Sequence, residues 1–318
     1  MNDNQPLVSI LINNYNYARY VSNAIDSALG QTYSNTEVIV VDDGSTDNSR
    51  GVIESYGTRI VEVFKENGGQ ASAMNAGFAA SKGEIICILD ADDLFLPEKV
   101  SEVVDLFQRN PGIDWVFTES APVEAKESFG ENLESVFETV RDKSRKEPPR
   151  TIDFKSNIKK AQLPDFAPST SNLCFSKRIL DKIFPLPEAK GLSKVSISDL
   201  YIKLLAVGLS TGCVTIRDLG IFRIHNNLYT TQSSQRKRRM FADIHLTTGY
   251  WMKVKFPDFR KMSNKIFSKG FGTYLAIETK DADCEKMIQR YLSNSSLLEK
   301  IEVGLMTSYC FLRARFAK

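Results

Sequence analysis

Five short runs rich in Val and Ile, recurring through the first 118 residues with helical patterns between them, leave this chain few folds to adopt. LVSILIN (7–13), EVIVV (37–41), RIVEVF (59–64), EIICIL (84–89) and DWVFT (114–118) read as strands. A helical pattern with Tyr20, Ala24, Ile25 and Ala28 follows the first, and a helix that Asp47 can cap follows the second. A third helix is expected around Ala71–Ser81, and a fourth from Pro97, a residue suited to a first helical position. Repeated β-α-β units predict a mostly parallel sheet covered by helices. Ligands of such sheets bind outside the carboxyl ends of the strands. Asn13–Asn16, Asp42–Asp43 and Asp90–Asp93 all fall there.

Beyond residue 118 the pattern weakens. Residues 119–163, with RDKSRKEPPR, read as a variable loop or helical insertion. Order resumes with SNLCFS (171–176), a helix near Lys177–Ile183, a helix from Asp199 to Val207, and strand-like GCVTIRDLGIFRIH (212–225). The remainder is helical. One side collects Met240, Phe241, Ile244, Thr248, Trp251, Met252 and Lys255; in 297–316 another collects Leu297, Ile301, Leu305, Tyr309, Leu312 and Phe316.

Composition narrows the function classes. Hydrophobic residues make up 42% and charged residues 25% of the 318, the balance of a soluble globular protein. The longest apolar runs are too short to span a bilayer, and the N-terminus lacks the basic n-region of a secretory signal. Five cysteines without CxxC spacing suggest reduced thiols, and two histidines argue against a multi-histidine metal centre. Charge is uneven: residues 1–234 hold 24 basic and 31 acidic side chains, whereas 235–318 hold 17 and 8. A boundary near 234 and an anionic partner for the basic tail fit this, as does a helical extension with a solvated basic face.

LDADD (89–93) is the strongest chemical signal. Residues two apart at a strand end share a face, so Asp90 and Asp92 can converge on one cation. Carboxylates suit Mg²⁺ or Mn²⁺ sharing its shell with substrate phosphates. The same stretch also makes an ordinary capping turn. Asp42–Asp43 can offer an acceptor to the N3–H of uracil or thymine; DGSTD is equally good Asx-turn chemistry. Tyr15 can pack on a base face. The NGG at 67–69 either lets backbone approach a ligand or forms a plain turn.

These segments together carry a resemblance. VSILINNYNYARYVSNAIDSALGQTYSNTEVIVVDDGSTDNS (8–49) and ENGGQASAMNAGFAASKGEIICILDADDLFLPEKV (66–100) resemble family 2 glycosyltransferases. The match is dense over 7–118, thinner over 168–226, absent from 119–163, and says little about 235–318. The resemblance implies a GT-A fold over 1–234: a nucleotide-sugar half (1–118), the insertion (119–163) and an acceptor half (164–234). A basic helical extension, 235–318, would follow. It implies donor contacts from Asn13, Tyr15, Asp43, Gln70, Asp90 and the intervening Ala91. Asp92, with Asp90, would hold Mg²⁺ or Mn²⁺, and Asp199 would be the general base. Ser198 stands where the family commonly has Glu, and Asn13–Asn14 where many members have a proline before the Tyr-Asn. His225 would touch the diphosphate or metal, or serve as a hydrogen-bonded strand-end residue.

The activity implied is transfer of a sugar from a UDP- or dTDP-sugar to a glycan or lipid-linked acceptor, by one displacement with inversion. A catalytically silent nucleotide- or carbohydrate-binding module on the same fold is the alternative. A receiver domain is disfavoured, because the acidic pair follows the second strand and not the first. Arg236, Lys237, Arg238 and Arg239 oppose the dipole at a helix start, which suggests a lipid-diphosphate or bilayer partner. Arg313, Arg315 and Lys318 beside Phe311, Leu312 and Phe316 fit an interfacial helix; docking of that stripe on the rest of the protein is the competing expectation. Nucleic acid is excluded as a partner, since the patch lacks interleaved aromatics. The expected location is cytoplasmic, with peripheral contact at the inner membrane face.

Overall fold

The computed structural model describes residues 5–124, 133–145, 147–188, 199–225, 233–278 and 281–316. Ser198, Lys318 and the variable stretch 189–197 lie outside the described residues.

Among the described residues, nine strands form one sheet: β1 (Val8–Asn14), β2 (Thr36–Asp42), β3 (Val61–Phe64), β4 (Ile85–Asp90), β5 (Leu94–Phe95), β6 (Trp115–Glu124), β7 (Arg150–Ile152), β8 (Leu173–Ser176) and β9 (Gly212–Ile224). The order is β3-β2-β1-β4-β8-β6-β9-β5, with β7 on β9. The first four are all parallel, as the β-α-β pattern predicts. β8 then runs antiparallel to both β4 and β6, so the second half of the sheet is mixed.

The helices are α1 (Val21–Leu29), α2 (Ser49–Glu54), α3 (Gln70–Ala80), α4 (Lys99–Arg109), α5 (Leu133–Lys143), α6 (Lys155–Lys159), α7 (Lys177–Ile183), α8 (Asp199–Leu209), α9 (Ser234–Lys255), α10 (Arg260–Ala276), α11 (Ala282–Ser293) and α12 (Leu297–Phe316). Two compact units result. One comprises Met1–Asp153, Asp165–Leu186 and Leu209–His225; the other comprises Phe154–Pro164, Pro187–Gly208 and Asn226–Lys318.

In the first unit, alternate residues of the central strands explain both packed faces. Ile10, Ile12, Val38, Val40, Cys87 and Leu89 meet Val21, Ala24 and Ile25 of α1 and Val100 and Val103 of α4. On the other face α3 comes close at Gly77, where an added Cβ would lie 3.2 Å from Val41 and 3.6 Å from Leu11. Burial on both faces is why these strands read as nearly continuous apolar runs. The segment read as a variable insertion is more ordered than its sequence suggests. β6 continues to Glu124, and Phe137 and Val140 of α5 pack on Leu94, Leu96 and Ile221.

The second unit has its own core around Ala242, Leu246, Phe267, Met287, Tyr291 and Val303, with the Phe267 and Tyr291 rings stacked at 3.6 Å. Helices α9 and α10 touch backbone to backbone. A Cβ on Gly249 would lie 2.6 Å from the Phe267 nitrogen, and one on Gly270 2.5 Å from the Leu246 nitrogen. The buried side of α9 therefore runs through Ala242, Leu246, Gly249 and Met252, offset from the large-residue stripe read in the sequence. α12 docks on its unit through Glu299, Val303 and Thr307, not through the stripe from Leu297 to Phe316. Periodicity located an apolar face there but not the face that packs.

His245 of α9 stacks on Phe241 at 3.8 Å and its Nδ1 lies 2.9 Å from the Phe241 carbonyl. Burial brings its pKa from the ordinary 6.5 down to about 4. The folded protein holds the ring neutral while the unfolded chain binds a proton between about pH 4 and 6.5, so this group makes stability rise with pH across that window. Denaturation midpoints measured over that range should climb less steeply in His245→Phe than in the wild type; an unchanged slope would contradict the assignment.

Candidate active site

Parallel register brings the chemistry to one sheet edge. Asn13 pairs with Val41 of β2 and Asp90 of β4, and Asn14 pairs with Asp42. These are the strand ends that the sequence singled out.

Asp42 and Asp43 divide two jobs. Asp42 Oδ1 accepts from Asn14 Nδ2 at 2.7 Å and Ser45 Oγ at 2.5 Å, while Oδ2 accepts from the Ser45 N–H at 3.0 Å. Asp42 is thus the turn-former, resolving an ambiguity the sequence left open. Gly44 follows at φ 72°, and a Cβ there would sit 2.6 Å from the Asn67 nitrogen, so only glycine fits. Asp43, 3% exposed, holds the loop after β3. Its Oδ1 accepts from Lys65 Nζ at 2.7 Å and the Gly68 N–H at 3.0 Å; its Oδ2 accepts from the Gly69 N–H at 2.7 Å. A carboxylate accepts about four hydrogen bonds, which leaves Asp43 an acceptor direction on Oδ2.

Asn13 is unsatisfied at both amide atoms, where Asn14 and Asn67 each leave only Oδ1 unpaired. Both Oδ1 and Nδ2 are buried, and neither has a hydrogen-bond partner among the described residues. The amide presents an acceptor and a donor together. Tyr15, 45% exposed, sits in the loop just beyond. That loop is tied to the next one: Asn16 Oδ1 accepts from the Thr46 N–H at 2.7 Å, and Asp47 Oδ2 from the Ala18 N–H at 2.9 Å. Gln70 is the first residue of α3. A cleft of about 530 Å³ opens beside Asp42 and Lys65, walled by Phe64 with the Arg50 guanidinium 4.5 Å over its ring.

The LDADD turn is bound by partners far away in sequence. Asp90 is half-buried and Ala91 buried. Asp92 Oδ2 lies 3.0 Å from His225 Nε2, and Tyr17 also hydrogen-bonds this carboxylate. Burial, then the Asp92 and Asp90 charges, push the Tyr17 phenol well above its usual range, so it stays a neutral donor. Asp93 is buried and structural: Ser171 Oγ donates to its Oδ2 at 2.7 Å and the Arg223 N–H to its Oδ1 at 3.1 Å. Burial, then Asp92, raise its pKa to about 7.

Three residues missed in the sequence organise this turn. Ser171 Oγ also accepts the Asp90 N–H at 3.1 Å, so one hydroxyl ties both ends of the DADD segment. Fully buried Arg223 donates from Nε to the Asp92 carbonyl at 2.9 Å and lies 4.7 Å over the Tyr20 ring. Lys99, also fully buried, donates to the Ser171 carbonyl at 2.7 Å and to Thr118 Oγ1 at 3.0 Å. Arg223 had a readable signal: it lies two residues before His225 and so shares its strand face.

Asp199 lies in the second unit as the first residue of α8, with Lys203 Nζ 2.7 Å from its Oδ2 one turn on. That i,i+4 pair was legible from spacing. In the basic run, Arg236 is exposed and Arg239 is engaged by Asp243 at 3.0 Å and Asp281 at 3.4 Å. Lys237 and Arg238 are half-buried, so the four charges do not form one open patch.

No group of three or more His, Cys, Asp or Glu side chains gathers around a common point among the described residues. Asp90 and Asp92 therefore fit a divalent ion only when substrate oxygens and water complete its shell, the habit of Mg²⁺.

The chain matches the family model for glycosyl transferase family 2 over residues 9–171. It is 34% identical over 251 residues to an uncharacterised glycosyltransferase of Nostoc sp., covering 76% of this chain and 74% of that one. The chain belongs to glycosyl transferase family 2 and is a glycosyltransferase. Its fold is the GT-A fold. It aligns over 97% of its length with 89% of a crystallised Staphylococcus aureus TarS fragment in complex with UDP, at TM-score 0.58 and 14% identity. It aligns over 99% of its length with 89% of the mannosyltransferase PcManGT from Pyrobaculum calidifontis in complex with GDP-Man and Mn²⁺, at TM-score 0.52 and 15% identity.

Ser171→Ala should leave buried Asp93 short of a donor and release the Asp90 amide, costing about 1–3 kcal/mol. Urea denaturation should show this as a lower midpoint at unchanged slope; a midpoint within error of wild type would rule out the bridging role.

Proposed function

We propose that this enzyme transfers a sugar from a UDP- or dTDP-sugar to a hydroxyl of a glycan or lipid-linked acceptor, with inversion. The observation that carries the donor reading is Asn13. Burying an amide with both polar atoms unpaired costs about 1–3 kcal/mol per group, a cost with a purpose if a ligand completes it. A uracil or thymine edge presents an N3–H beside two carbonyls, matching the acceptor and donor of Asn13; the remaining lone pair of Asp43 Oδ2 offers a second acceptor. Tyr15 supplies an exposed ring for the base face. Gln70 begins α3, where backbone N–H groups favour an anion such as the diphosphate.

Asp92 and Asp90, flanking Ala91, would hold Mg²⁺ or Mn²⁺ together with the donor's phosphate oxygens. Such an ion neutralises charge that develops on a diphosphate leaving group. His225 keeps Asp92 in place through the 3.0 Å contact, and the neutral Tyr17 phenol adds a second donor. Asp199 would accept the acceptor's proton as the hydroxyl attacks the anomeric carbon, on the face opposite the departing diphosphate. Its ion pair with Lys203 orients the carboxylate. PcManGT is in complex with GDP-Man and Mn²⁺, and the TarS fragment with UDP; the first supports metal use and the second a uridine donor.

A panel of nucleotide sugars, scored by turnover and by metal-dependent thermal shift, tests each part. Asp199→Asn should lower turnover about 10²–10⁴-fold while donor binding persists, and Asp92→Ala should abolish the metal-dependent shift. Asn13→Leu should stabilise the free protein by about 1 kcal/mol and weaken nucleotide binding. Full activity of Asp199→Asn would remove it as the base. Metal-dependent nucleotide binding with no turnover on any acceptor would favour the silent binding module.

A further inference from the structure

The last helix docks on its own unit through one face and leaves a different, apolar face bare. Val303 is fully buried, Glu299 and Thr307 nearly so, and Lys253 Nζ pairs with Glu299 at 3.1 Å to fix that side against α9. Ser268 of α10 reaches the Val303 carbonyl and Asn264 the Glu302 carboxylate at 2.9 Å. On the opposite side Leu297, Ile301, Leu305, Tyr309, Leu312 and Phe316 are 52–74% exposed. Among the described residues eleven large hydrophobic side chains are exposed, and seven of them belong to this helix. A continuous bare stripe about 30 Å long is not the scattered exposure of an ordinary surface.

The charges beside the stripe point to its occupant. Arg313 and Arg315 border the distal end, and each guanidinium lies 5.9 Å over an aromatic ring of the same helix, Tyr309 and Phe311 respectively. Two exposed cations therefore border an exposed apolar face, within a segment that carries 17 basic and 8 acidic residues. A second copy of this chain would bring the same cations and repel the first. An anionic phospholipid surface offers apolar depth and negative headgroups at once, the pairing that interfacial helices use. No helix among the described residues is long and apolar enough to cross a membrane, so this contact would lie in the surface plane.

We propose that the face of α12 from Leu297 to Phe316, bordered by Arg313 and Arg315, docks on an anionic phospholipid bilayer. The docking goes beyond the sugar-transfer reading and does not depend on it. It rests on α12, not on the 236–239 run, where Arg239 is engaged by two aspartates.

Flotation of the full chain with phosphatidylcholine vesicles, with and without phosphatidylglycerol, tests this without any activity measurement. The wild type should float with the anionic vesicles at least about tenfold more than with the neutral ones. Leu305→Glu with Leu312→Glu should lose about tenfold or more of that binding. These positions are exposed, so the melting temperature should be unchanged, and Arg313→Gln with Arg315→Gln should reduce the preference for anionic lipid. Failure of the wild type to float with anionic vesicles overturns the proposal. So does a concentration-dependent dimer in light scattering that the Leu305→Glu, Leu312→Glu pair abolishes, which would assign the face to a second copy.

Discussion

Carboxylates buried at strand ends are the constraint on which the first unit depends. Four acids, Asp42, Asp43, Asp92 and Asp93, are all under 10% exposed at one edge of the sheet. Unpaired, such charges would be prohibitively costly in a low-dielectric interior. The fold meets each differently: hydroxyl and amide donors for Asp42, an ammonium and two backbone amides for Asp43, a histidine for Asp92, and Ser171 with the Arg223 backbone for Asp93. Lys99 and Arg223 add buried positive charge beneath the same turn. This allotment also sorts roles. Asp42 and Asp93 are held by protein groups as parts of the scaffold, whereas Asn13 beside them keeps both amide atoms unpaired.

The first half of the fold was legible because its determinants are local. β-branched runs, a two-residue alternation and turn residues marked β1 to β4 within a residue or two, and parallel pairing followed from the helical crossovers. The antiparallel entry of β8 was not legible, since nothing local in LCFS tells a strand which way its neighbours run. The same holds for the knot at LDADD. Ser171 lies 78 positions from Asp93, where spacing rules have no purchase, and Arg223, 130 positions away, was readable only through its neighbour His225. DD alone left two equal acids; only the donors around them separate Asp42 from Asp43.

The second unit shows a different limit. Its packing faces rest on small residues, Gly249 against Phe267 and Gly270 against Leu246, where absent side chains let backbones touch. A search for large apolar residues at helical spacing passes over such contacts and, on α9, reads a face offset from the one that packs. On α12 that search found the bare face, not the docked one, so a pattern expected to be core is surface. The misreading is informative, because an apolar stripe that the fold does not bury demands another partner.

The central claim is that Asn13 and the LDADD turn are two sides of one metal-dependent donor site. A crystal structure of the enzyme with a uridine diphosphate and Mn²⁺ tests it most directly. The account predicts the Asn13 amide hydrogen-bonded to the base and the metal held between Asp92 and a phosphate oxygen. A nucleotide bound with Asn13 still unpaired, or a metal that Asp92 does not touch, would contradict it.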